Sequence, residues 1–254
     1  MLEDVRIQLT GSMVLSGRAG HISGSDIGPR QVRTLIAFLT LNRARSVSSE
    51  ELRLVLWEDS WPPAWEAGLR SLLSRVRAAF DAVLAPMSRR MLDGEPGRYR
   101  LTLPPGTTVD WEQAALSLEQ AESLLRDGDT RAAHAPASVS TIVFRRPFLP
   151  GLGSSWAELQ RERQMRLLCR SLECLAESWL AHDQPALAIE AASEAVAIDP
   201  TSEAGCRLVM RANAKAGNPA EAVREYQRLR EALSSELGLD PSPDTEALFL
   251  SLLR

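Results

Sequence analysis

AWEAGLRSLLSRVRAAFDAVL, residues 64–84, puts two messages on one predicted helix. Leu69, Leu72, Leu73, Val76, Phe80 and Val83 recur at helical spacing and form a single apolar stripe. Arg70, Ser71, Ser74, Arg75, Arg77 and Ala78 fall largely outside it, with no carboxylate among them before Asp81. One face is made to pack, and the other is polar and cationic. Arginine on an amphipathic helix is by itself more often a solvated surface than a binding one, so the flanking elements settle what this face is for.

Upstream, Val5, Ile7 and Leu9 alternate, Thr10-Gly11-Ser12 punctuates, and Met13-Val14-Leu15 follows, which predicts a strand pair. Gly17, Gly20, Gly24 and Gly28 predict turns and short edge strands as far as Pro29. Pro29 stands as a first-turn proline ahead of Val32, Leu35, Ile36, Leu39 and Thr40, a first helix. Ser48 and Glu51 make a capping box for a second helix carrying Leu52, Val55, Leu56 and Trp57, ended by Asp59-Ser60-Trp61-Pro62-Pro63. Downstream of the third helix, Arg89 to Leu103 predicts a hairpin, with its turn at Asp93-Gly94-Glu95-Pro96-Gly97.

Three helices followed by a basic hairpin predict an α+β winged helix-turn-helix, in which the third helix enters the major groove and the hairpin touches adjacent backbone. Exposed arginine can fork onto a guanine edge or a phosphate, and wing arginines neutralise phosphates without reading sequence. The candidate DNA-binding residues are Arg70, Ser71, Ser74, Arg75 and Arg77 on the third helix, with Arg89, Arg90, Arg98 and Arg100 on the wing.

From residue 109 the pattern is helical. Asp110, with Gln113, is expected to cap a helix carrying Ala114, Ala115, Leu118, Ala121, Leu124 and Leu125, closed by Asp127-Gly128-Asp129. Residues 133–153, with Pro136, Pro147 and Pro150 and a β-branched stretch from Val139 to Val143, read as the least regular part. Trp156 to Leu180 predicts one long helix. Pro185-Ala186-Leu187-Ala188-Ile189 is then echoed by Pro219-Ala220-Glu221-Ala222-Val223 at a shift of 34 residues, the tetratricopeptide (TPR) period. Stacked helical hairpins of this kind build a groove that can hold a protein or peptide, or else a rod or dimer surface.

The chain has 254 residues, 44% hydrophobic and 24% charged. That length suits two domains of roughly 100 to 150 residues each, here expected at 1–108 and 109–254. Residues 1–108 hold 14 arginines against 11 carboxylates, net +3, whereas 109–254 hold 15 basic against 22 acidic side chains, net −7. The two parts face different electrostatic partners, and the acidic one is ill suited to nucleic acid. Lys215 is the only lysine in the chain, which points to GC-rich coding DNA.

No stretch approaches the ~18 apolar residues of a membrane span. MLEDVRIQLT lacks the basic and apolar runs of a secretory signal, so a cytoplasmic protein without a membrane partner is expected. Cys169, Cys174 and Cys206 cannot all pair and show no metal or redox spacing, so buried thiols are expected. His21, His134 and His182 lie far apart in sequence, and no phosphate loop, zinc-protease motif or nucleophile elbow occurs. The expectation is a protein that is not an enzyme and holds neither cofactor nor metal.

The chain resembles the SARP (Streptomyces antibiotic regulatory protein) regulators, which join an OmpR/PhoB-type winged helix to a bacterial transcriptional activator domain (BTAD). The resemblance rests on GPRQVRTLIAFLTLNRARSVSSEELRLVLWED (28–59), LRSLLSRVRAAF (69–80), PGRYRL (96–101), TTVDWEQAALSLEQA (107–121), the long helix from Trp156, and AGNPAEAVREYQRLREALSSELGLDPSPDTEAL (216–248). It implies a TPR-like second domain and an activator that binds direct repeats in double-stranded DNA near a promoter as a homodimer and assists RNA polymerase. Two departures stand out: Leu72 where the family usually has a polar or aromatic residue, and residues 131–150, which match the family's second repeat-domain helix poorly. The alternatives are a degenerate regulator acting as a TPR-type adaptor, or a segment of a larger multidomain regulator.

Overall fold

The computed structural model describes residues 5–84, 91–93 and 97–253. The chain forms two compact units, Met1–Gln113 with Arg146–Arg163, and Ala114–Arg145 with Gln164–Arg254.

The first unit opens with β1 (Arg6–Gln8), β2 (Val14–Gly17) and β3 (Gly20–Ser23). These antiparallel strands and a parallel β7 (Thr108–Val109) form a sheet ordered β3-β2-β1-β7. Their inward residues, Ile7 and Leu15, are buried. Then come α1 (Arg30–Leu41), β4 (Val47–Ser48), α2 (Ser49–Trp57) and α3 (Trp65–Leu84), followed by β5 (Leu92–Asp93) and β6 (Arg98–Leu101). The wing is a sheet ordered β4-β6-β5. This is a winged helix; Ser48 and Glu51 close the capping box of α2 in both directions as expected, whereas Pro29 is the N-cap of α1, one residue ahead of the first turn expected to hold it. Leu69, Leu72, Leu73, Val76, Phe80 and Val83 are the buried stripe of α3.

Gly17 fixes how α3 meets the sheet. A Cβ there would lie 2.5 Å from the Val83 carbonyl oxygen, which also accepts the Ala19 amide at 2.9 Å. Backbone approaches backbone closely enough that any side chain would have to push them apart.

Segment 146–163 joins this unit through both polar and apolar contacts. Gly11 donates to the Pro147 carbonyl at 2.8 Å, and Leu149 donates to that of Leu9 at 3.1 Å. The Arg161 guanidinium collects the carbonyls of Phe148, Leu149 and Leu152. Phe148 is fully buried, with its ring edge-on to Trp111 at 5.0 Å and to Trp156 at 5.6 Å; Trp156 in turn meets Phe38 at 5.2 Å. The Asp110 carboxylate does other work than the expected cap. It accepts the amides of Leu9 at 2.7 Å and Thr10 at 3.1 Å and the Thr10 hydroxyl, so it anchors β1.

The second unit is all helix: most of α4 (Asp110–Arg126), α5 (His134–Phe144), the body of α6 (Ser155–Ala181), α7 (Pro185–Ile198), α8 (Glu203–Lys215), α9 (Pro219–Leu237) and α10 (Pro243–Leu252). The stretch read as irregular is therefore a helix over 134–144. Pro136 is tolerated because it lies in the first turn, where the backbone amide has no intrahelical acceptor to lose.

The 34-residue repeat is visible bond by bond. Gln184 donates to the Trp179 carbonyl at 2.9 Å, and Asn218 donates to that of Asn213 at the same distance. The left-handed residue of each turn is Asp183 (φ 61°) in the first hairpin and Gly217 (φ 80°) in the second. Pro185 and Pro219 then open α7 and α9. At the far end Cys206, Met210, Ala222, Tyr226, Leu229 and Leu233 form a core that α10 covers, with Phe249 stacked on Tyr226 at 4.0 Å. No helix among the described residues is long and apolar enough to cross a membrane.

Candidate nucleic-acid interface

The α3 surface is aimed by its N-terminal approach. Pro62 and Pro63 end the preceding loop, and Trp65 begins the helix by donating to the Pro62 carbonyl at 3.0 Å. Arg53 of α2 lies over the Trp61 ring at 3.6 Å and near that of Trp65 at 5.6 Å, so one guanidinium braces the loop by cation–π contact. Glu58 accepts the amide and hydroxyl of Ser155 at 2.7 Å, which pins the loop's other end to the start of α6.

On this braced helix Arg70, Ser71, Ser74 and Arg75 are exposed, and Leu72, only 7% exposed, belongs to the inner stripe. Leu72 thus takes nothing from the outer face. The Arg70 side chain is 68% exposed and meets Glu66 only at 4.0 Å. Arg77 differs from its neighbours: it is half-buried and donates to the Leu92 carbonyl of the wing at 3.4 Å.

The wing is stitched to the α2 N-terminus. Val47 pairs with Tyr99 and Ser48 with Arg98, and the Ser49 amide donates to the Gly97 carbonyl at 2.8 Å. Arg98 and Arg100 are exposed on β6, and Arg100 reaches the Arg43 carbonyl at 3.4 Å. Between α2, α3 and the wing lies a cleft of about 170 Å³ lined by Ser49, Trp65, Arg70, Gly97 and Tyr99 among others. Seven of the nine candidate residues therefore fall on one helix and the strand beside it. Arg89 and Arg90, with the turn at 94–96, lie outside the described residues.

Other arginines near the wing are spent within the unit. Arg43 grips Glu112 with both terminal nitrogens, which raises its pKa, and Arg45 pairs with Glu51 at 2.8 Å. Arg75, Arg98 and Arg100 form no ion pair among the described residues. Linear spacing carried no sign of this sorting.

The structure also assembles a group that sequence separation hides. His134 and His182 come to 5.3 Å between rings, with Trp179 at 4.2 Å from His134. His134 Nδ1 lies 3.2 Å from the Ser178 hydroxyl, and His182 Nδ1 lies 2.8 Å from the Ser178 carbonyl. Burial, helped by the neighbouring His182, holds the His134 pKa below its ordinary value. Cys169, Cys174 and Cys206 are buried free thiols, and burial pushes each up to about 12.

Comparison with known proteins agrees with this architecture. The model of the bacterial transcriptional activator domain matches residues 109–253. Regulatory protein AfsR of Streptomyces coelicolor is 27% identical over 227 residues, 89% of this chain and 22% of that protein. Transcriptional regulator RedD of the same organism is 28% identical over 225 residues, 86% of this chain and 63% of that one. The chain thus spans less than two thirds of the length of these relatives. The solved structure of Mycobacterium tuberculosis EmbR in complex with a low-affinity phosphopeptide shares the fold, with a TM-score of 0.86 at 23% identity over 99% of this chain and 65% of that chain. More than half of the residues here match the family model, behind a winged helix, and the chain belongs to the bacterial transcriptional activator domain family, in its SARP branch.

Proposed function

We propose that this protein is a sequence-specific DNA-binding transcription regulator of the activator type, working as a homodimer on direct repeats near a promoter and assisting RNA polymerase. The functional border is placed at 108/109, with the winged helix on DNA and the repeat domain on protein. Arg70, Ser71, Ser74 and Arg75 face base edges and phosphates in the major groove, Arg77 ties the helix to the wing while flanking the groove, and Arg89, Arg90, Arg98 and Arg100 meet the backbone alongside.

One observation carries this reading: Arg75, Arg98 and Arg100 stand exposed without a carboxylate partner among the described residues, on a helix and strand held in fixed register. An exposed guanidinium left without an internal anion is available to an external one, and the phosphate backbone is the densest such partner in a cell. The test is binding to DNA upstream of the protein's own gene at increasing salt. A dimer neutralising ~6 to 10 phosphates loses on the order of a thousandfold in affinity between 50 and 200 mM. Affinity that is flat with salt would remove the DNA reading.

A further inference from the structure

Helix α5 is HAPASVSTIVF, 11 residues without a carboxylate, lysine or arginine. A helix apolar on all sides is normally covered on all sides. Its inner face is covered, since Pro136, Ala137, Ser140, Thr141 and Phe144 are buried. The outer face is not: Val139 is 46% and Ile142 62% exposed, and Leu187 of α7 beside them is 37% exposed. Ala135, Val139 and Ile142 follow the four-then-three spacing of a seam against another helix.

This face opens into a cavity of about 270 Å³ walled by Ile142, Leu175, Trp179, Leu187 and Ala191. Thr141, 1% exposed, is among its lining residues, and its own hydroxyl is buried without a hydrogen-bond partner among the described residues. The rim carries one-sided charge. Arg145 is clasped by Glu194, with Nε at 3.0 Å, whereas Glu190 is exposed and forms no ion pair among the described residues. The volume lies below the roughly 300 to 1,000 Å³ of small-molecule pockets, and suits one large side chain entering from a protein surface.

We infer that α5 and α7 form a docking groove for a basic amphipathic helix of a partner protein. A large aromatic side chain of that helix fills the cavity, and a lysine or arginine one turn away meets Glu190. Aromatic anchors in pockets and apolar faces laid into grooves are the usual energetics of such contacts. The net charge of −7 over residues 109–254 favours a basic partner. The groove deepens the proposed protein-binding role of the repeat domain and uses no residue of α3 or the wing.

The test selects a displayed library of helices of roughly 16 residues on the full chain and, in parallel, on its Ile142→Glu variant. Ile142 is exposed, so the variant keeps its fold, and circular dichroism checks this. Enriched peptides are expected to pair a large aromatic residue with a lysine or arginine one turn away, and to fail on Ile142→Glu. Leu187→Ala should weaken them by roughly tenfold, and Glu190→Gln by roughly two- to fivefold, less at high salt. Peptides equally enriched on the variant, acidic peptides, or no enrichment each overturn the inference. So does a dimer of the full chain that dissociates on Ile142→Glu, which would assign the face to a second copy. Promoter binding by Ile142→Glu, measured alongside, should be unchanged, which separates failure here from failure of the DNA reading.

Discussion

Two sets of arginines, one in each unit, serve opposite ends. In the second, Arg145, Arg170, Arg211, Arg224 and Arg228 each lie against a glutamate: Glu194, Glu122, Glu177, Glu221 and Glu225 respectively. In the first, Arg75, Arg98 and Arg100 stay unpaired among the described residues, although Glu50, Glu51 and Glu66 are on neighbouring turns. Glu50 is taken by Arg53, and Glu51 by Arg45 and the cap of α2. Paired arginines fasten the protein to itself, each worth about 0 to 1 kcal/mol at an exposed site. Unpaired ones keep their charge for an outside anion; Arg126, Arg166 and Arg230 of the second unit are exposed and form no ion pair among the described residues either, so it is the gathering of Arg75, Arg98 and Arg100 on α3 and the wing that marks a binding face.

Charge reversal strikes the contrast hardest. Arg70→Glu combined with Arg75→Glu should lower DNA affinity by at least roughly a hundredfold, read by fluorescence anisotropy at fixed salt. Arg170→Glu with Arg211→Glu should leave it within about twofold, since those groups serve only internal pairs. Equal losses from both variants would erase the distinction.

Gly17→Ala tests the platform beneath the unpaired set. The added Cβ meets the Val83 carbonyl oxygen at 2.5 Å, so α3 must move away from the sheet. Unfolding free energy should drop by about 2 kcal/mol, seen in denaturant titration, with weaker DNA binding even where the protein is folded. An unchanged midpoint would mean that the contact is slack.

Arg98→Ala sharpens the division inside the first unit. A wing arginine on phosphate should weaken all sequences alike and reduce the slope of log affinity against log salt by about 1. Altered preference between promoter variants would move Arg98 from backbone to base contact.

The smallest effect concerns an acid already in use. The Ser48 amide donating into the Glu51 carboxylate, helped by Arg45, holds that group below its ordinary 4.5. A depressed carboxylate stabilises the fold above its unfolded pKa and loses that contribution as pH falls through the folded value. Glu51→Gln, which keeps the hydrogen bond and removes the charge, should cost about 0.5 kcal/mol at pH 7, and the gap from the parent protein should narrow below pH 4.5 in acid titrations of melting temperature. A gap constant with pH would show that the cap's charge contributes nothing.

Much of this was legible where a signal is local. The stripe of α3, the Ser48 and Glu51 box and the paired prolines of the repeat each occupy a few turns, and each gave the element it predicted. Helix α5 escaped because Pro136 and the β-branched run from Val139 argue against a helix by propensity, while its packed inner face overrides them. The candidate site was legible as a list of residue types. Which arginines were free was not, because Arg43 is neutralised by Glu112, 69 residues away.

The sequence by itself determined the order of elements, the cationic helix, the wing and the 34-residue repeat, because periodicity, caps and turn residues act over a few bonds along the chain. Only the tertiary structure decided that segment 146–163 joins the first unit, that Asp110 anchors β1, that His134 meets His182, and that α5 leaves an apolar face in water. Those outcomes depend on which distant surfaces close against each other, and a carboxylate or an aromatic ring carries no mark of its partner until the chain has folded.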